Sequence, residues 1–157
     1  MTIGRAGNIF SNQYKVVLGI AKCETGLADA DYPVSGAYVD VSGYERVHIL
    51  IHTGTLHTSD TPVFTPKVAE AINGTLDTID STLALTPAPD TDDGYCFAWT
   101  IEVQKLPTDH HFLSVVVSGT VSNGSYADIL FLLEGTEVPV TQTSTVLPAA
   151  HCVNWIG

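Results

Sequence analysis

Arg46-Val47-His48-Ile49-Leu50-Ile51-His52-Thr53 is the stretch whose reading decides the fold. Side chains of an extended chain alternate between two faces, so Val47, Ile49 and Ile51 share one side while His48, Leu50 and His52 share the other. A helix would scatter these residues around its axis. The stretch is therefore a strand with one buried face.

Working outward, Phe112-Leu113-Ser114-Val115-Val116-Val117 and Ala127-Asp128-Ile129-Leu130-Phe131-Leu132-Leu133 are short β-branched or aromatic runs with apolar residues on both faces. Such runs belong to the inner strands of a packed sheet. Weaker strand candidates are 14–20, 37–41, 63–71, 75–79 and 95–103. Turn-forming pairs punctuate them: Ser42-Gly43, Asn73-Gly74, Asp93-Gly94 and Asn123-Gly124, with Pro87-Ala88-Pro89 besides. Asn-Gly tolerates positive φ at both residues. Asn73-Gly74 is thus expected to close a type I′ hairpin, and Asn123-Gly124 to link the two strongest strands in the same way. Short strands with turns roughly every 8 to 12 residues imply an all-β fold, an antiparallel β-sandwich or a jelly-roll-like barrel.

The chain has 157 residues, 45% of them hydrophobic and 15% charged, which suits one domain with a sizeable core. Seventeen acidic against six basic side chains give a net charge of −11. That charge repels phosphate backbones and anionic lipid surfaces, so neither nucleic acid nor a membrane is expected as a partner. No stretch approaches the ~18 to 20 apolar residues of a spanning helix, and the opening residues lack the apolar segment of a secretory signal. Synthesis and retention in a cytoplasm is the expectation. Cys23, Cys96 and Cys152 form no C-x-x-C pair, and buried free thiols are expected.

Chemistry finds little footing. His48 and His52 have a spacing that holds zinc on a helix, but on a strand they stand about 13 Å apart. His110 and His111 would face opposite ways, and His57 and His151 have no Cys or carboxylate at ligand spacing. Asp90-Thr91-Asp92-Asp93-Gly94 fails the EF-hand pattern because Gly already occupies its fifth position. It reads as an acidic surface loop that starts a strand. No nucleophile elbow, P-loop or dinucleotide fingerprint occurs, and the carboxylate pairs Asp77/Asp80 and Glu134/Glu137 read as surface charge. No enzyme activity, metal or cofactor is expected.

Residues 1–13 and 136–157 lack sustained alternation and read as extended N- and C-terminal arms on a sandwich domain at 14–135. They nevertheless carry Ile9, Phe10, Val146, Leu147, Trp155 and Ile156. Apolar residues on polar tails dock against something, either the domain itself or a neighbour.

One arrangement is familiar. Val39-Asp40-Val41-Ser42-Gly43-Tyr44-Glu45, the strand Val47 to Thr53 ending in Gly54, then Phe64-Thr65-Pro66-Lys67-Val68-Ala69-Glu70, resembles small structural proteins of tailed-bacteriophage heads. Phe112 to Val117 with Ser118-Gly119, the run Ala127 to Gly135, and the opening Ser11-Asn12-Gln13-Tyr14-Lys15-Val16-Val17 are similar to theirs too. The chain departs from them in His110-His111, where relatives have a basic residue, and in its longer tail.

The resemblance implies a head decoration, or cement, protein. Such a subunit binds the outside of the capsid, clamps neighbouring capsomers and stabilises the shell by mass action over many sites. Its implied partners are the major capsid protein and further copies of itself, in twos or threes with trimers suited to quasi-threefold positions, and its implied location is the virion exterior. Implied anchors are Ile9, Phe10 and Tyr14 at the start and Val138, Val146, Leu147, Trp155 and Ile156 at the end, with Trp155 foremost because interface hot spots are often aromatic. Two other readings compete. One is a carbohydrate- or receptor-binding module of a fibre or tail that stacks sugars on Tyr95, Trp99 or Tyr126; the other is a tail-tube or head-completion subunit.

Overall fold

Val47, Ile49 and Ile51 are completely buried, while His48 and Leu50 between them are half-buried and His52, which follows, is exposed. The strand they define is one of nine among the described residues: β1 (Tyr14–Leu18), β2 (Ala30–Tyr32), β3 (Val39–Asp40), β4 (Tyr44–Thr53), β5 (Thr61–Ala69), β6 (Asp77–Thr78), β7 (Cys96–Glu102), β8 (Phe112–Thr120) and β9 (Ala127–Gly135). This computed structural model describes residues 14–20, 26–121 and 124–135. Every strand pairing is antiparallel.

The strands form two sheets. Sheet A has the order β1-β9-β4-β7, and sheet B has the order β2-β8-β5-β6, with β3 beside β2 along the same edge of β8. One apolar cluster joins their inner faces, with Ile49, Ile51, Phe131 and Leu133 from sheet A and Phe64 and Leu113 from sheet B fully buried. The protein is an all-β sandwich.

The two runs that are apolar on both faces, β8 and β9, occupy interior positions, as their composition demands. They are not partners, however. β8 lies in sheet B and β9 in sheet A, so the segment around Asn123-Gly124 crosses from one sheet to the other instead of closing a hairpin. Asn123 itself lies outside the described residues. Asn73-Gly74 does connect antiparallel β5 and β6, through Lys67↔Thr78 and Val68↔Asp77. Yet neither residue has positive φ, and the Gly74 N–H donates to the Ala71 carbonyl at 2.9 Å. The turn is centred one residue earlier than a type I′ reading requires, inside a longer loop.

Prolines 62 and 66 sit within β5, a strand with a neighbour on one full side. Phe64, of the same parity, exchanges both backbone hydrogen bonds with Leu85 at 2.8 and 2.9 Å, so residues of this parity turn their N–H groups away from β8. The two prolines therefore give up no hydrogen bond to β8. Strand β2 has no sequence signal, being three residues, Ala-Asp-Tyr, that end at a cis Tyr32–Pro33 bond.

Candidate interaction surface

Cross-strand register arranges the outer face of sheet A in four rows. Residues directly opposite one another in antiparallel strands project to the same side. The first row is Tyr14–Glu134–Arg46–Glu102, the second Val16–Leu132–His48–Thr100, the third Leu18–Leu130–Leu50–Ala98 and the fourth Asp128–His52–Cys96. The third row is apolar from one edge of the sheet to the other, and Leu132 extends it into the second, where its neighbour Val16 is buried. Leu18 is 41% exposed, and Leu50, Leu130 and Leu132 are half-buried.

Charged groups border this strip on both sides. In the first row Arg46 donates to the Glu134 carboxylate at 3.4 Å and reaches Glu45 at 3.3 Å. His48 bridges outward from the second row, with Nδ1 3.0 Å from the Thr100 hydroxyl and Nε2 3.4 Å from Glu134. The Tyr14 ring meets His48 edge-on with centroids 6.0 Å apart. Lys105, 2.9 Å away, is the first cause that holds the Glu102 carboxyl below its usual range. In the fourth row His52 stands 3.7 Å from Asp128. An apolar centre with a polar rim is the anatomy of a protein–protein contact.

The outer face of sheet B has a different composition. Register places Val63 with Ser118, Thr65 with Val116 and Asp31, and Lys67 with Ser114 there. Polar side chains separate its valines, so no continuous apolar row forms. The two outer faces are chemically distinct.

Tyr14 is the one predicted anchor within the described residues, and it belongs to the first row of this surface. Ile9, Phe10, Val138, Val146, Leu147, Trp155 and Ile156 lie outside the described residues. The segments that carry them join the sandwich side by side, because Tyr14 and Glu134 are opposite each other in β1 and β9. The sequence reading did not find the apolar strip. Its signal was there in Leu130 and Leu132, the outward residues of a run judged apolar on both faces.

Other residues singled out earlier serve the scaffold. Trp99 projects inward from β7 and packs against the core, whereas Tyr95 is 56% exposed. Cys96 is exposed and free, contrary to the expected buried thiol, because its parity places it on the outer face; Cys23 and Cys152 lie outside the described residues. The acidic loop is structural rather than merely solvated. Asp92 accepts the Ala88 N–H at 2.7 Å, and Asp93 accepts the Leu56 N–H at 2.9 Å. Asp80 caps a short 3₁₀ turn by accepting from the Thr82 N–H, which lowers its pKa. Asp77 binds His110 at 3.1 Å.

Asp60 and Ser125, both completely buried, form a polar junction that the sequence did not reveal. The Ser125 hydroxyl donates to the Asp60 carboxylate and accepts the His57 N–H at 2.9 Å. It fastens the loop between β4 and β5 to the residues that enter β9. Among the described residues no group of three His, Cys, Asp or Glu side chains is placed to hold a metal.

Comparison with known protein families and with curated proteins finds no match to this chain.

Proposed function

We propose that the protein is a structural virion subunit of the decoration type, which seats the outer face of sheet A against the exterior of a bacteriophage capsid. The observation that carries this reading is the apolar strip of Leu18, Leu130 and Leu50, bordered by charged rows. A water-facing sheet that served only as scaffold would gain nothing from a row of leucines there, whereas a docking face buries them. The terminal segments join the sandwich at neighbouring strands of the same sheet, where arms could reach adjoining subunits. The resemblance to phage head proteins and the net charge of −11, compatible with a site away from packaged DNA, support the same reading.

The test is occupancy on shells. Heads lacking the subunit are incubated with the purified chain, sedimented and analysed by gel densitometry. The natural chain is expected to saturate its sites. Leu18→Glu with Leu130→Glu should reduce occupancy at least ~10-fold, because two leucines buried on docking contribute on the order of 3 kcal/mol or more, while the variant keeps the circular dichroism spectrum of the folded chain. Failure of the natural chain to sediment with heads, or full occupancy by the double variant, overturns the proposal.

A further inference from the structure

The open side of sheet A at β7 is built to pair with another strand. The four lateral boundaries of the two sheets differ in how they are guarded. Strand β1 is five residues long and carries Lys15. The β2/β3 boundary consists of three and two residues separated by the cis Tyr32–Pro33 bond. On the β6 side only two residues pair, and Pro62 and Pro66 deprive the exposed parity of β5 of donors. Short strands, lysine and proline are the usual defences of a sheet edge.

Strand β7 has none of these. Cys-Phe-Ala-Trp-Thr-Ile-Glu runs seven residues without Pro, Gly or Lys, and among the described residues its sole strand partner is β4. The Thr53 N–H donates to the Tyr95 carbonyl at 2.9 Å, which fixes the alternation along this ladder. Odd-numbered residues bond to β4, so Cys96, Ala98, Thr100 and Glu102 direct their N–H and C=O groups toward the open side.

The geometry points to a second copy of this chain as the occupant: we infer that β7 pairs antiparallel with β7 of another subunit across a twofold axis at Trp99. The strand is self-complementary in that register. Ala98 would oppose Thr100 of the other copy and Cys96 would oppose Glu102, so small or neutral side chains meet on the outer face and no like charges coincide. On the inner face Phe97 would oppose Ile101, and the two Trp99 rings would be neighbours. Phe97 and Trp99 point inward yet remain only partly buried, since sheet A ends beside them. A partner strand would complete their burial and extend the row of Leu18, Leu130, Leu50 and Ala98 into a wider face. Antiparallel pairing of one edge with itself closes after two copies. The inference rests on β7 alone and is independent of the shell-binding reading.

Sedimentation equilibrium of the full chain at about 100 µM, a concentration suited to a small interface, tests it. The natural chain should be dimeric. Ala98→Pro removes only an N–H that faces the open side, so it should give a monomer with at least ~10-fold weaker self-association and near-natural circular dichroism. A charge exchange guards against misfolding of the proline variant. Ala98→Lys with Thr100→Lys sets lysines opposite lysines, and Ala98→Glu with Thr100→Glu does the same with carboxylates. Each double variant should be monomeric alone, and a mixture of the two should recover the dimer. A monomeric natural chain, a dimer unaffected by Ala98→Pro, or a mixture that stays monomeric would each overturn the pairing, whatever the result with shells.

Discussion

Gly119 is the position where one methyl group should do the most damage. It lies in β8 opposite Pro62, with φ +93°. A Cβ there would overlap the Thr61 carbonyl oxygen and stand 3.4 Å from the Thr61 carbonyl carbon and 3.7 Å from Val63 Cγ2. The obstacle is backbone, which cannot rotate aside as a side-chain tip can. Gly36 supplies the control, because its φ is +85° but nothing lies within 4 Å of a Cβ. The conformational cost of alanine at positive φ is common to both, about 1–2 kcal/mol. Relief of the clash at Gly119 must also separate the Thr61↔Thr120 and Pro62↔Gly119 pairs, which adds about 2–3 kcal/mol. Gly119→Ala should therefore lose about 3–5 kcal/mol against about 1–2 for Gly36→Ala. At roughly 2–4 °C per kcal/mol for a chain of this size, their melting temperatures should differ by about 5–10 °C. Urea titrations followed by circular dichroism measure both. Equal losses at the two glycines would refute the steric reasoning.

Two further outcomes follow from polar contacts. His110 has its pKa raised, first by the Thr108 carbonyl at 2.9 Å and then by Asp77. A folded-state value above the unfolded one means that protonation favours the fold. The contribution is complete below the ordinary imidazole pKa and is lost as pH rises through the raised value. Asp77→Asn should flatten this part of the stability profile, and an unchanged slope in urea titrations across that window would contradict the assignment. Ser125→Ala removes the hydroxyl shared by Asp60 and the His57 N–H, and should cost about 2–4 kcal/mol with an unchanged urea m-value. A loss below about 0.5 kcal/mol would show that the junction is not needed for stability.

Strand identity was readable wherever burial imposes a period of two. Val47, Ile49 and Ile51 announce β4, and the double-faced runs announce the interior positions of β8 and β9. Partnership was less accessible, because a turn signal says that the chain reverses and not which sheet receives it. Asn123-Gly124 suggested a hairpin for that reason, although β8 and β9 belong to different sheets. Strand β2 escaped notice because three residues are too few to display alternation. The candidate surface depends on register: Leu18, Leu50 and Leu130 are 32 and 80 residues apart in sequence, and only pairing aligns them. Cys96 was misjudged for a similar cause, since thiol chemistry favours burial while strand parity turned this one outward.

Order along the chain has a consequence for synthesis on the ribosome. Strand β9, among the last described segments to emerge, lies between β1 and β4, two of the earliest. Sheet A therefore stays in two pieces, β1 and the β4/β7 pair, until residue 135 has left the exit tunnel, and until then β1 has no described strand to join. A nascent chain stalled before Ala127 would leave the β9-facing edge of β4 unpaired and its apolar side chains open to solvent, so this protein should depend on holdase chaperones during translation and should tolerate early termination poorly.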